Sequence, residues 1–479
     1  MIRRVWLVVA CIGWLWAGPS AHADVKLPAL FTDGMVLQQG SDCHVWGTAA
    51  PGEKVMIELE QKDVGQAALV TAGDDGKWNT KLANLKTGGP YTLTIKGKNE
   101  ITIKDVYVGD VWICSGQSNM EFSLRSDANA KKAIAEAKKP QIRLFTVKKT
   151  AADKPATDVP QSPPDTKPAN VYGRWQECNP DTVPNFAAVA YYFGRDLQKA
   201  RKVPIGLIHT SWGGTAAEEW TSQRVLDANP DHKGKHQRQT KLYNGMIAPL
   251  LPYAIKGVIW YQGESNAGRA ALYRELFPLM IKNWREDWKQ GDFPFLFVQL
   301  APWQKIVNEP QESAWAELRE AQLLTSLKVP NSAMAVITDV GDPKDIHPRQ
   351  KEPVGARLAL AARALAYKEK IEYSGPVYGS KQIEGNKIVL SFKHLGKGLE
   401  MKGEELQGFT IAGEDKKFYN AKAEIKGDKV VVWCDKVDKP IAVRYGWANC
   451  PVVNLWNKDG LPASPFRTDD FPMITAPKK

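Results

Sequence analysis

Hydrophobic and polar positions divide the chain into three stretches. From residue 24 to 105, short runs such as "CHVWGTA", "EKVMIELE", "YTLTIKG" and "EITIKDV" alternate with Gly-, Pro- and Asp-rich knots, among them "GDDGKW" and "TGGP". Regularly spaced short strands with turn signals between them predict a small β-sandwich. From 106 to 370 the rhythm changes. Near-continuous apolar runs ("VYVGDVWIC", "VPIGLIH", "IKGVIWY", "FPFLFVQL", "SAMAVIT") alternate with helical stretches at Ala187 to Lys199, Ala270 to Trp288, Ser313 to Lys328 and Val354 to Lys368. That alternation predicts an α/β unit whose mainly parallel sheet is covered on both faces. Within it, Lys148 to Asn170 is rich in Pro, Lys and Asp and reads as a surface loop. From 371 to 479 the helical signal stops, and "KIVLSFKH", "GFTIAG", "KVVVWCD" and "IAVRYGW" predict a second all-β unit.

The first 23 residues stand apart. Arg3 and Arg4 precede an apolar run from Val5 to Gly18, and Ala21-His22-Ala23 supplies small residues at a cleavage position. This reads as a signal peptide and predicts export to the periplasm or the medium. No later run is long and apolar enough to span a bilayer, so no membrane association is expected after its removal. The formal charge of +11 comes from lysines spread along the chain. Nucleic-acid binding would call for a clustered basic stripe, and none is present. Beyond the leader the cysteines are Cys43, Cys114, Cys178, Cys434 and Cys450. An odd, widely spaced set is neither a disulfide framework nor a zinc site, although Cys434 and Cys450 are able to pair after export.

In open parallel sheets, ligands bind beyond the carboxyl ends of the strands. Several small polar knots fall there: "SGQSN", "SWGGT", "QGESN" and "DPKDIHP". Ser118 follows the first strand, where a hydroxyl is either a turn former or, beside a base, a nucleophile. Among the histidines, His44 and His394 belong to the β-rich ends, and His209 ends a strand as a packed residue. His232 and His236 sit in a charged stretch that is expected to be exposed. His347 is the best-placed base, with Asp345 the nearest carboxylate and Asp342 the second. Gly213 and Gly214 allow backbone N–H groups to approach an oxyanion, and Gln262 and Asn266 offer side-chain amides. Trp212, Trp220, Trp260 and Tyr261 are either sugar-stacking walls or core.

Taken together, "GQSNM", "WGGT", "WYQGESN" and "DIHP" resemble the SGNH-hydrolase superfamily, and more narrowly the bacterial sialate O-acetylesterases and related carbohydrate acetylesterases. The similarity runs through most of the chain beyond the leader. It implies a three-layer α/β esterase domain flanked by N- and C-terminal β-sandwich domains. It also implies hydrolysis of O-acetylated sialoglycans, or of another acetylated carbohydrate such as acetylxylan, with no cofactor and no metal. By this resemblance Ser118 is the nucleophile and His347 the general base. The backbone at Ser118 and at Gly213 or Gly214 forms the oxyanion hole, and Gln262 is preferred over Asn266 as side-chain donor. One departure stands out: the superfamily's Asp-x-x-His would place an acid at Lys344, whereas here Asp345 gives Asp-x-His. The histidine is therefore oriented by Asp345 or by a backbone carbonyl.

Overall fold

One long strand carries the chain from the N-terminal β region into the sheet that bears the polar knots. In the computed structural model, which describes residues 24–61, 64–232 and 239–477, this strand is β1 (Glu100–Gly116). The expected leader and His236 lie outside the described residues. The first half of β1 has mixed exposure and pairs antiparallel with Gly88–Lys96, which in turn pairs with Lys54–Gln61. Its second half, from Val108 on, is wholly buried. Cys43–Thr48 and Lys77–Leu82 form a separate two-stranded sheet in the same N-terminal region.

The other central strands are β2 (Lys139–Thr146), β3 (Trp175–Cys178), β4 (Ile205–Ser211), β5 (Gly257–Tyr261), β6 (Phe295–Val298) and β7 (Ser332–Ala335). Their order is β7-β6-β5-β1-β4-β2-β3, parallel throughout except for the edge strand β3. Fully buried parallel strands present apolar side chains alternately to two faces. Trp112, Cys114, Leu207, Ile259 and Leu296 belong to one core cluster, with residues of α2 (Ala188–Arg201) and α5 (Glu352–Ala366). Ile113, Ile208, Trp260 and Phe297 belong to the other, with α3 (Ala270–Trp288) and α4 (Ala314–Lys328).

The buried aromatics settle part of the tryptophan question. Trp260 meets Trp220 and Trp284 edge-on at 5.9 and 5.8 Å. Contacts of this kind add about 0.5–1.5 kcal/mol each beyond area burial. Trp220, Trp260 and Tyr261 are therefore core residues, with no surface left for a sugar.

Beyond residue 376 the chain is β throughout. Strands Val377–Glu384, Lys387–Lys393, Lys429–Trp433 and Lys422–Lys426 form one antiparallel sheet, and Phe409–Ala412 and Ala442–Tyr445 form the centre of another. All five described cysteines are free thiols, so Cys434 and Cys450 are not joined. Among the described residues no helix is long and apolar enough to cross a membrane, and no group of three or more His, Cys, Asp or Glu is arranged to hold a metal.

Candidate active site

Strand register places the polar knots at one level. Gly116 ends β1 opposite Ser211 of β4 on one side and Tyr261 of β5 on the other. The chain after each strand therefore leaves the sheet at the same height. Ser118 opens the four-residue helix α1 (Ser118–Glu121), whose first N–H groups have no intrahelical partner. Across from it, Gly213 comes so close that a Cβ there would lie 3.2 Å from the Ser118 Cβ. Thr215 fixes that loop: its hydroxyl donates to Trp212 O at 2.7 Å and accepts from the Trp220 indole at 2.9 Å.

His347 arrives on the loop between β7 and α5. Its Nε2 lies 2.8 Å from Ser118 Oγ, within hydrogen-bond range. Burial holds its pKa below the ordinary imidazole value, and the Lys351 cation acts in the same direction. The Asp345 and Glu121 carboxylates oppose the shift without cancelling it. The ring is thus neutral at pH 7 and able to accept a proton. Asp345 Oδ1 accepts the His347 backbone N–H at 2.8 Å but stands 3.6 Å from Nδ1, beyond a hydrogen bond. It shapes the loop and places a charge beside the ring.

The glycine loop holds an element that the motifs do not announce. The Gly213 amide donates to Glu121 Oε2 at 2.6 Å, and Lys149 Nζ binds the other oxygen of the same carboxylate. Gly214 follows with φ +71°. Glu121 lies one helical turn beyond Ser118, where a glutamate ordinarily faces solvent; only its i+3 spacing hints at a shared site.

Gln262 and Asn266 require a correction. Neither reaches Ser118, because each is enclosed in hydrogen bonds of its own. The Gln262 amide donates to Thr215 O at 3.2 Å and to Asn266 Oδ1 at 2.7 Å, and its oxygen accepts from Tyr273 OH at 3.1 Å. Asn266 also accepts from Ala217 N at 3.0 Å and donates to Glu218 at 2.9 Å. Gln262 has both amide hydrogens taken, and both residues are buried away from the cleft, so they brace the loops. His232 differs from expectation as well: it is 3% exposed, packed near Glu275.

Ser118 and His347 line a cleft of ≈ 940 Å³ together with Asp345, Gly213, Trp212 and Tyr172. Three cations also line it: Arg125, Lys148 and Lys149. The ends of the Pro-rich segment form part of its wall, while Ala152 and Ala156 bind it back to Lys241 and Asn244. Two arginines near the motifs have other roles. Arg269 is paired with buried Glu218, and Arg349 Nε donates to Ser126 O.

The sequence profile of the family described as carbohydrate esterase, sialic acid-specific acetylesterase matches residues 108–364. The chain belongs to this family. Among similar proteins, sialate O-acetylesterase of Pongo abelii is 30% identical over 94% of both chains. The human sialate O-acetylesterase is 31% identical, covering 79% of this chain and 78% of its own. A solved carbohydrate acetylesterase from Xanthomonas citri is 41% identical, with a TM-score of 0.86 over 93% of this chain and 100% of that one. This acetylesterase chain is thus a mixed α/β esterase with a large mixed sheet and further β-sheets towards its C-terminus.

Proposed function

We propose that this esterase is exported and removes O-acetyl groups from sialic acids through an acetyl-Ser118 intermediate, on an SGNH-type layered domain. The observation that carries the mechanism is the 2.8 Å contact between Ser118 Oγ and the neutral His347 ring in the cleft. His347 takes the hydroxyl proton as Oγ attacks the acetyl carbonyl. The Ser118 N–H at the head of α1 meets the developing oxyanion, joined by Gly213 N–H as Glu121 yields it. His347 then protonates the departing sugar oxygen, and water repeats the sequence on the acetyl-enzyme.

The cations along the cleft favour an anionic sugar. Arg125 and Lys148 line it beside Ser118 and His347, where the carboxylate of a sialic acid finds charge-assisted partners. Acetate release should be faster from O-acetylated sialic acid than from acetylxylan. Arg125→Ala should raise KM for the sialate about tenfold and leave a neutral acetyl ester unaffected, as expected for loss of a hydrogen bond to a charged group. Faster release from acetylxylan would overturn the sialate reading. It would favour an acetylated neutral carbohydrate, a reading supported by the 41% identity to the Xanthomonas carbohydrate acetylesterase.

The pH profile tests the base. kcat/KM requires neutral His347, so it should be level near pH 7 and fall on acidification, with its midpoint below the ordinary imidazole value of 6.5. In Asp345→Asn the anion that favours imidazolium is gone, so the midpoint should move lower still. The rate should fall only about tenfold, far short of the ~10⁴-fold that follows loss of a buried triad aspartate. Here the pair is 3.6 Å apart with side chains 36% and 47% exposed, and water screens it. An upward shift of the midpoint, or loss of all activity, would contradict this arrangement.

A further inference from the structure

Beneath the Ser118–His347 contact lies a buried polar chain that the proposed mechanism does not use. Asn119, the residue after Ser118, is 1% exposed. Its Nδ2 donates to the carbonyl of Ile346, the residue before His347, at 3.0 Å, and to Glu264 Oε1 at 2.6 Å. Its Oδ1 accepts from Lys351 Nζ at 2.5 Å. Lys351 is 0% exposed, and its ammonium lies 4.7 Å from the centre of the Phe122 ring and 5.4 Å from that of Tyr261. Glu264 Oε2 is shielded from solvent and has no hydrogen-bond partner.

An ammonium and a carboxylate removed from water are costly, and a well-packed apolar pair of the same volume is often at least as stable. Stability alone therefore gives little reason for this chain. Its position gives a better one: a single amide spans from the helix that carries Ser118 to the loop that carries His347, and charged groups lock that amide on both sides. We propose that Asn119 and Lys351 are positioning residues of the esterase: Asn119 ties the nucleophile's helix to the base's loop, and the buried Lys351 ammonium holds that amide in place and puts a positive charge near the base.

The charges around both groups agree with this assignment. Lys351 faces Glu264, Asp127 and Asp345, yet desolvation outweighs all three and pushes its pKa down to about 7. Its backbone N–H is held by Asp127 Oδ2 at 2.9 Å, which anchors it at the head of α5. His347 faces Ser118, Asp345, Glu121 and Lys351, and of these only the lysine disfavours the imidazolium. Burial raises the Glu264 pKa, against the hydrogen bond from Asn119 and the Lys351 charge.

The inference rests on the serine-esterase reading and is tested in its own terms. Lys351→Met and Asn119→Asp each make the surroundings of His347 more negative, the first by deleting the ammonium and the second by adding an anion. With p-nitrophenyl acetate as probe, the acid midpoint of kcat/KM should rise by roughly half a unit or more in both variants. Both break the tie to Ile346 or its lock, so kcat should fall about ten- to a hundredfold with KM nearly unchanged. A merely structural role would lower the melting temperature and the active fraction but leave the midpoint in place. Should Lys351→Met not fold, the isosteric Asn119→Asp decides alone, and direct titration of His347 by NMR in the wild type adds a second measurement. A midpoint above 6.5 in the wild type, or one unmoved in Asn119→Asp, overturns the proposal. Ser118→Ala keeps the two readings apart: if it remains active, the esterase mechanism fails first; if it is dead while the midpoints stand still, only this inference fails.

Discussion

Ser118→Ala should lower acetate release by about four to six orders of magnitude, the scale on which serine hydrolases respond to loss of the nucleophile. Ser118 Oγ is the group that His347 Nε2 faces at 2.8 Å. Asp345 accepts from a backbone N–H, and Glu121 is bound by Gly213 and Lys149. Alanine leaves the ring without a hydroxyl to deprotonate, and what remains is binding and polarisation by the cleft. Folding should hardly change, because the side chain is small, partly exposed and tied by that one hydrogen bond. A melting temperature near that of the wild type, with acetate release at background, is the expected pair of results. Retention of even a few per cent of the rate, after exclusion of contaminating esterase, would remove Ser118 from the mechanism.

How far the chain could be read in advance depended on whether the decisive feature is local. The helix expected at Ala270 to Trp288 has those bounds in the structure, because nineteen residues of apolar periodicity outweigh Pro278 within it. Ser118 and His347 were legible because a polar knot after a buried parallel strand has one place to go, the carboxyl edge of the sheet. The direction of a side chain at that edge is not local. Gln262 sits where a donor was expected, but Asn266, four residues on, and Tyr273 on α3 take up its amide. Lys351 was invisible for the opposite reason. Lysine is almost always solvated, and nothing in the sequence says that Asn119, Glu264 and two aromatic rings close around it. The link between the N-terminal strands and the esterase sheet was likewise hidden, since β1 belongs to both and changes from mixed to full burial midway along its length.

Gly116→Ala should be the most disruptive single methyl in the molecule's site region. Gly116 has φ +139°, where a side chain is strained, and an added Cβ would lie 2.1 Å from the Tyr261 carbonyl oxygen on β5. Flexible side chains can yield to such an intrusion, but this obstacle is backbone, and it is fixed from two sides. The same Tyr261 oxygen accepts Gln117 N at 2.9 Å, while Gly116 O accepts Trp212 N at 3.1 Å. Relief requires parting β1 from β5 or rotating Gly116 out of its conformation. The combined strain and overpacking should cost about 2–6 kcal/mol. Either movement carries Ser118, two residues on, and the Trp212–Gly213 turn with it, so the folded fraction should also lose about a hundredfold in kcat. Gly268→Ala is the matched control, since a Cβ there meets nothing within 4 Å and φ is not positive. It should change stability by less than ~0.5 kcal/mol and leave turnover intact. If Gly116→Ala melted and turned over like that control, β1 and β5 would have to stand farther apart than they do here. The placement of Ser118 against Gly213 would then have to come from something other than the strand ends.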